Sequence, residues 1–337
     1  MSHNKLKIKI FTILLVFVFF TTYNIQNHIK ILAHNNTLQE IEHITFTSTI
    51  STPESKCTND INYDQLTTIT EFKKILEQLY QNNYILINTK EILSKNTPLP
   101  SNKKPIIISF ENQTHNSNKI ILDRNNNLAL YSPDRNIQNR ISYDNNFIFI
   151  LENFVNNHPD FSYNNAKGII LSSGYNGILG YNTNHKNASH KNEQKKVAQV
   201  IKKLEQLGWE FGYNDYHYQN THNQSEMDFI KNISLWQNEI GKLISNPTIY
   251  ANPIFNSTPL TDENKLKILS DYKFSILFDN NTTNTSITNN NYQLVSNRKF
   301  VCGQTLRDNP GNFQHLFTPS LVYDHTLRST PFSKIEI

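Results

Sequence analysis

Lys104-Pro-Ile-Ile-Ile-Ser-Phe-Glu-Asn112 carries an apolar run, Ile106–Phe110, that stops abruptly in an acid and an amide. Runs of this kind are strands covered on both faces, the usual state of a strand inside a parallel sheet. A second segment, Gly208-Trp-Glu-Phe-Gly-Tyr-Asn-Asp-Tyr-His-Tyr218, repeats the design: a short apolar strand, then a cluster of polar and aromatic residues. Working outward, helical and strand patterns alternate. Thr68-Ile-Thr-Glu71 has the form of a capping box, and Phe72, Ile75, Leu76, Leu79 and Tyr80 follow at helical spacing. Tyr84–Ile87 reads as a strand, Thr89 as the cap of a helix through Leu93, and 121–131 as an extended pair around Asn125–Asn127. Phe147–Val155 is an apolar run continuing into a short helix before Pro159, and Ile169–Ser173 is a further buried strand. Val197, Val200, Ile201 and Leu204 mark a helix over Glu193–Leu207 that Gly208 stops, and Phe229, Ile233, Trp236, Ile240 and Leu243 mark another over Ser225–Leu243. Thr248–Ala251 and Phe274–Phe278 complete the strands, and Asn280–Asn291 reads as an exposed Asn/Thr insertion.

Alternating strands and helices imply right-handed crossovers around a parallel sheet. The units are too few and too irregular for a regular eightfold barrel. In an α/β barrel the reacting groups stand where strands end at the C-terminal face. That places Glu111 and Asn112 after one strand and Asn214 and Tyr218 after another as neighbours.

In order and wording the two segments resemble the polysaccharide deacetylase family, the NodB-type carbohydrate esterases. The resemblance covers residues 65–330 and implies an α/β fold, a distorted, incomplete parallel (β/α) barrel. In that family the first strand tip supplies a base and one metal ligand, and the second supplies two histidine ligands. In register, the base falls on Glu111 and the ligand positions on Asn112, Asn214 and Tyr218. Two neutral amides and a phenol are poor ligands for zinc, which takes thiolate, imidazole or carboxylate. The expectation is therefore a chain with no cofactor, its metal-dependent N-deacetylase activity impaired or absent. Zinc or another divalent metal enters only if the chain is an active deacetylase on a non-standard site, for instance Glu111 with His217 and His222. Tyr250-Ala-Asn-Pro-Ile-Phe255 resembles the family segment that carries a base-orienting arginine, without the arginine; Leu32-Ala-His34 is the sole Leu-x-His. The Ser172–Tyr181 loop and Arg298–Asp308 resemble family framework to which no chemistry attaches. Tyr213, Asp215, Tyr216 and His217 are the candidates for contact with a glycan, with ring faces for C–H groups and polar groups for hydroxyls. Trp209 and Trp236 lie on apolar faces and read as core.

The remaining features set the address. Lys5, Lys7 and Lys9 precede a mostly apolar stretch, Ile10–Phe20, so residues 1–24 read as a signal peptide or an N-terminal membrane anchor. Residues 25–64 read as a polar stalk. The domain is then extracytoplasmic, membrane-anchored or secreted, with cell-wall or envelope glycan as partner and the membrane reached through the N-terminal segment. A scaffold binding protein partners is the remaining class. A net charge of +4 over 337 residues, with scattered lysines, gives no footprint for nucleic acid. Cys57 and Cys302 are the two cysteines. Outside the cytoplasm a bridge between them is permitted, and two unpaired thiols are the other reading.

Overall fold

The structure is a computed structural model that describes residues 41–47, 50–51, 63–94, 98–111, 118–133, 135–217, 219–254, 259–280, 285–288, 291–296 and 298–328. The N-terminal segment, Leu32-Ala-His34, Cys57, Asn112, Tyr218 and Phe255 lie outside the described residues. Among the described residues no helix is long and apolar enough to cross a membrane.

The strands are β1 (Glu42–Thr47), β2 (Ile50–Ser51), β3 (Thr67–Thr68), β4 (Tyr84–Leu86), β5 (Lys104–Glu111), β6 (Lys119–Leu122), β7 (Leu128–Tyr131) and β8 (Ile141–Ser142). They continue with β9 (Ile169–Ser172), β10 (Glu210–Tyr213), β11 (Ile249–Ala251), β12 (Ile276–Asp279), β13 (Thr285–Thr288), β14 (Gln293–Ser296) and β15 (Arg298–Phe300). The main sheet runs β13-β14-β12-β11-β10-β9-β5-β1-β15, with β4 added beside β5. β14 pairs with β12 while β15, next along the chain, pairs with β1. One stretch thus bridges the two flanks, and the parallel strands form a nearly closed seven-stranded barrel with one unsealed seam.

Side-chain alternation divides the barrel into two cores, because successive residues of a strand face opposite sides. Ile106, Ile108 and Phe110 of β5 face outward into the large core shared with the helices. There Phe110 stacks on Phe147 at 3.8 Å and meets Phe72 edge-on at 5.7 Å. Ile107 faces inward, in a smaller core with Ile169, Leu171, Ile249, Ala251, Ile276, Phe278 and Val295. This inner plug is apolar toward the floor, and Ser109 and Glu111 continue the same inward row upward.

The helices are α1 (Ile69–Gln81), α2 (Thr89–Leu93), α3 (Phe147–Asn157), α4 (His190–Gln206), α5 (Glu226–Glu239), α6 (Glu263–Asp271), α7 (Gly303–Asp308) and α8 (Pro319–Val322). The capping box of α1 forms as expected: Glu71 N donates to Thr68 Oγ1 (3.0 Å) and Thr68 N to Glu71 Oε2 (2.9 Å). Trp209 and Trp236 are core, their indole N–H groups donating to Glu152 and Ser172.

Three expectations need correction. β1 falls within 25–64, the range read as stalk, yet it lies between β5 and β15 in the barrel wall. Its inward residues, His43, Thr45 and Thr47, are polar, so only Ile44 and Phe46 signal a strand. The Asn280–Asn291 insertion contains β13, which pairs antiparallel with β14. Phe147–Val155 is helical throughout, with Asn146 Oδ1 accepting from Ile148 N (2.9 Å) at its start. Cys302 is buried, has no disulfide partner among the described residues, and has a thiol pKa that burial pushes up.

Candidate functional site

β5, β9 and β10 are parallel neighbours, with Glu111 opposite Leu171 and Leu171 opposite Gly212. Glu111, ending β5, and Asn214, just past β10, therefore stand on the same rim of the barrel. Glu111 is fully buried. Its Oε1 lies 2.6 Å from Arg298 Nη1, and its Oε2 accepts from Ile254 N at 3.3 Å. Arg298 enters from β15, and the loops after β11 and β12 hold its other nitrogens. Nε donates to Asn280 Oδ1 (2.8 Å) and Nη2 donates to Asn252 O. Asn280 Nδ2 in turn donates to the carbonyls of Asn252 (3.1 Å) and Pro253 (2.7 Å), and Asn252 Nδ2 donates to Asp279 Oδ1 (2.9 Å). The described part of the segment lacking an arginine, Tyr250–Ile254, thus meets an arginine supplied 45 residues later in the chain, counting from Pro253 to Arg298.

Beneath this pair, inside the barrel, His43 Nε2 meets Ser109 Oγ at 2.7 Å, and the imidazole packs edge-on against Phe278 at 4.4 Å. Burial holds the His43 pKa well below its usual value, and the cationic Arg298 and Lys299 add to the effect. His43 is neutral at ordinary pH. Its Nδ1 and the Thr45 hydroxyl have no partner among the described residues.

The β10 tip is built differently. Tyr213 faces outward and packs at 5.1 Å from Trp236 and 5.6 Å from Tyr250. Its phenol accepts from Tyr216 N (3.0 Å), and burial raises its pKa, as does the nearby Asp215. Asp215 is buried with a positive φ of 69°. It accepts from the N–H groups of His217 (3.1 Å) and Gln219 (3.2 Å) and from Gln224 Nε2. Burial pushes its carboxyl pKa up. Tyr216 is buried and donates to Glu239 Oε2 (2.6 Å), while His185 meets Glu239 Oε1 through Nδ1 (2.5 Å). Asn214 is buried, and neither of its amide atoms has a partner among the described residues.

The structure therefore brings Glu111 and Asn214 to one rim and places Tyr213, Asp215 and Tyr216 in the supporting layer. It leaves His217 exposed, with its ring 5.0 Å from Tyr175. His222 is exposed on the following turn. Glu111, His217 and His222 do not gather: among the described residues no three His, Cys, Asp or Glu side chains are placed to hold a metal ion. Sequence reasoning missed Arg298 as the partner of Glu111. No local signal marks a contact made across 187 residues, whereas Tyr175 was within reach as an aromatic in a Gly-rich loop after a barrel strand.

No family model and no curated protein matches the chain. Solved structures do. A Streptococcus pyogenes deacetylase, PplD, is 12% identical over 82% of this chain and 97% of its own, with a TM-score of 0.47. A de-N-acetylase from Aggregatibacter actinomycetemcomitans is 13% identical over 81% of this chain and 99% of its own, with a TM-score of 0.48. A polysaccharide deacetylase from Bacillus cereus is 9% identical over 79% of this chain and 66% of its own, also at 0.48. What this chain is similar to, in each of these comparisons, is a deacetylase.

Proposed function

We propose that this chain is an extracytoplasmic glycan-binding protein on a deacetylase-like barrel, with metal-dependent N-deacetylation lost. The observation that carries the reading is the neutral amide of Asn214 at a metal-ligand position on the barrel rim. In hydrolysis of this type a metal ion's charge generates the nucleophile and stabilises the oxyanion, while a positioned carboxylate removes a proton from water. Here Arg298 holds the base-position carboxylate of Glu111 in place, as a base-orienting arginine would, so the base is not what is missing. The ligand position on the neighbouring tip, Asn214, offers a neutral amide. This donor set does not fit a zinc ion, which strongly prefers anionic or imidazole ligands. The same groups suit a sugar. The buried Asn214 amide, without a partner among the described residues, has both a donor and an acceptor for hydroxyl or acetamido groups, and His217 adds a polar ring at the rim.

The test is made on purified chain. The expected result is binding of an N-acetylglucosamine oligomer, no bound zinc and no acetate released. Stoichiometric zinc, with acetate release abolished by Glu111→Ala, overturns the proposal in favour of an active deacetylase.

The location rests on Lys5, Lys7 and Lys9 before Ile10–Phe20. Protease added to intact protoplasts is expected to digest the domain. A fully protected domain sinks the assignment.

A further inference from the structure

The loop after β9 presents one aromatic ring to solvent under unusual constraint. Ser173 and Gly174 follow the strand, and Gly177 N donates to Gly174 O at 2.8 Å, closing a tight turn with Tyr175 and Asn176 at its centre. Gly174 has φ +100°, and a Cβ there would stand 2.8 Å from the Tyr216 ring. No larger residue allows the turn to approach Tyr216 so closely. Gly177 has φ +79°, and a Cβ there would stand 1.8 Å from the Tyr181 carbonyl oxygen. The turn is thus fixed from both ends.

Both backbone groups of Tyr175 are tied down. Its N–H donates to Tyr216 O (3.1 Å) and its carbonyl accepts from Asn184 Nδ2 (3.1 Å). The side chain is 47% exposed. Behind it, the buried Tyr216 ring meets it edge-on at 6.4 Å, and Tyr216 is itself held by Glu239. Beside it, the exposed His217 ring stands at 5.0 Å with a tilt of 50°. Tyr175 follows β9 and His217 follows β10, so the pair rises from the same rim as Glu111 and Asn214.

We infer that Tyr175 and His217 form a stacking platform for one sugar ring of a bound glycan, with the buried Asn214 amide as a polar contact on the same rim. The inference rests on the glycan-binding reading above and names the subsite that delivers it. An exposed aromatic face with the exposed Asn176 and His217 beside it matches a pyranose: its C–H face covers the ring and its hydroxyls meet the polar border. A protein-binding patch needs contiguous apolar area. Among the described residues the large exposed aliphatic side chains, such as Ile137, Met227 and Leu321, belong to other segments. Pre-fixing the turn removes most of the ordering cost that binding otherwise carries.

Calorimetric titration of the full chain with an N-acetylglucosamine oligomer, and with a glucose oligomer of the same linkage, tests this. Replacing the ring by Tyr175→Ala is expected to weaken binding about 5- to 10-fold, the loss typical of an aromatic anchor. Tyr175→Phe keeps the face and is expected to stay within about 2-fold of the parent. His217→Ala is expected to fall between the two. Weaker binding of the glucose oligomer supports an acetamido contact through Asn214. Undiminished affinity in Tyr175→Ala overturns the platform and leaves the glycan reading standing. Equal losses in the Phe and Ala variants assign the effect to the hydroxyl and overturn stacking. Absence of any binding by the parent chain overturns the glycan reading itself, and the platform with it.

Discussion

The chain buries two Glu–Arg pairs of the same chemistry in two different settings. Glu71 Oε2 lies 2.6 Å from Arg328 Nη2, and Glu111 Oε1 lies 2.6 Å from Arg298 Nη1; all four side chains are fully buried. The first pair ties the C-terminal part of the domain to the start of α1. Glu71 is the third residue of that helix and accepts from Thr68 N (2.9 Å) and Asp324 N (2.9 Å) as well as from Arg328 Nε (3.1 Å). Arg328 donates onward to Leu66 O (2.8 Å), and a Cβ on Gly303 would stand 2.0 Å from its guanidinium. The second pair stands at the barrel mouth, where it holds two loops and meets the end of the inner core. Buried ion pairs repay their desolvation poorly, so their worth lies in what they hold in place. One holds a chain end, and the other holds the rim that the proposed function uses.

Removing either arginine strands a buried carboxylate, and the difference in setting predicts unequal costs. Glu71 keeps two backbone donors and the positive end of the α1 dipole, both of which favour an anion in a first helical turn. Glu111 ends a strand, where no such dipole exists. Arg298→Ala is therefore expected to cost about 3–5 kcal/mol, the usual range for breaking a buried pair, and to abolish glycan binding as the loops loosen. Arg328→Ala is expected to cost less, about 2–3 kcal/mol, and to leave glycan affinity unchanged in the folded fraction. Urea midpoints measured on both variants decide it. If Arg328→Ala proves the more damaging, the helix terminus contributes less than the loops at the mouth.

The same contrast explains what the sequence could show. β5 and β10 were legible because both faces of each strand are covered, leaving Ile106–Phe110 apolar but for Ser109 and Phe211–Tyr213 free of polar side chains other than the Tyr213 phenol. β1 was hidden because its inner row, His43, Thr45 and Thr47, lies level with the polar part of the barrel interior. β13 was hidden because Thr and Asn in a repetitive run mimic a loop. At the site, the position of Glu111 followed from the strand ending alone. Its partner Arg298 did not, because pairing within a sheet brings together residues with no fixed spacing. Tyr213 and Tyr216 looked like binding residues for a related reason: a strand tip reads as exposed, but Trp236 of α5 and Phe274 ahead of β12 cover Tyr213, and Glu239 and Tyr175 hold Tyr216 in the layer beneath.

The smallest expected effect sharpens the account of the mouth pair. His43 lies opposite Arg298 in the β1–β15 register and is buried, with Lys299 as the other nearby cation. Burial and these two positive charges hold its pKa well below the ordinary value, so in the folded chain it stays neutral as pH falls. In the unfolded chain it takes up a proton near pH ~6.5. Below that point the unfolded state binds more protons than the folded state, and stability therefore rises with pH and is lost as pH drops. One such group contributes a slope approaching about 1.4 kcal/mol per pH unit. His43→Gln retains a side-chain amide for Ser109 and removes the titration. The variant is expected to lose less stability than the parent between about pH 6.5 and about pH 5, as read from urea midpoints across that window. Identical acid profiles in parent and variant would mean that His43 protonates freely in the folded chain, so that a second cation is tolerated beside Arg298. A steeper profile in the parent means that the barrel interior admits one positive charge at this level, and that this charge is committed to Glu111.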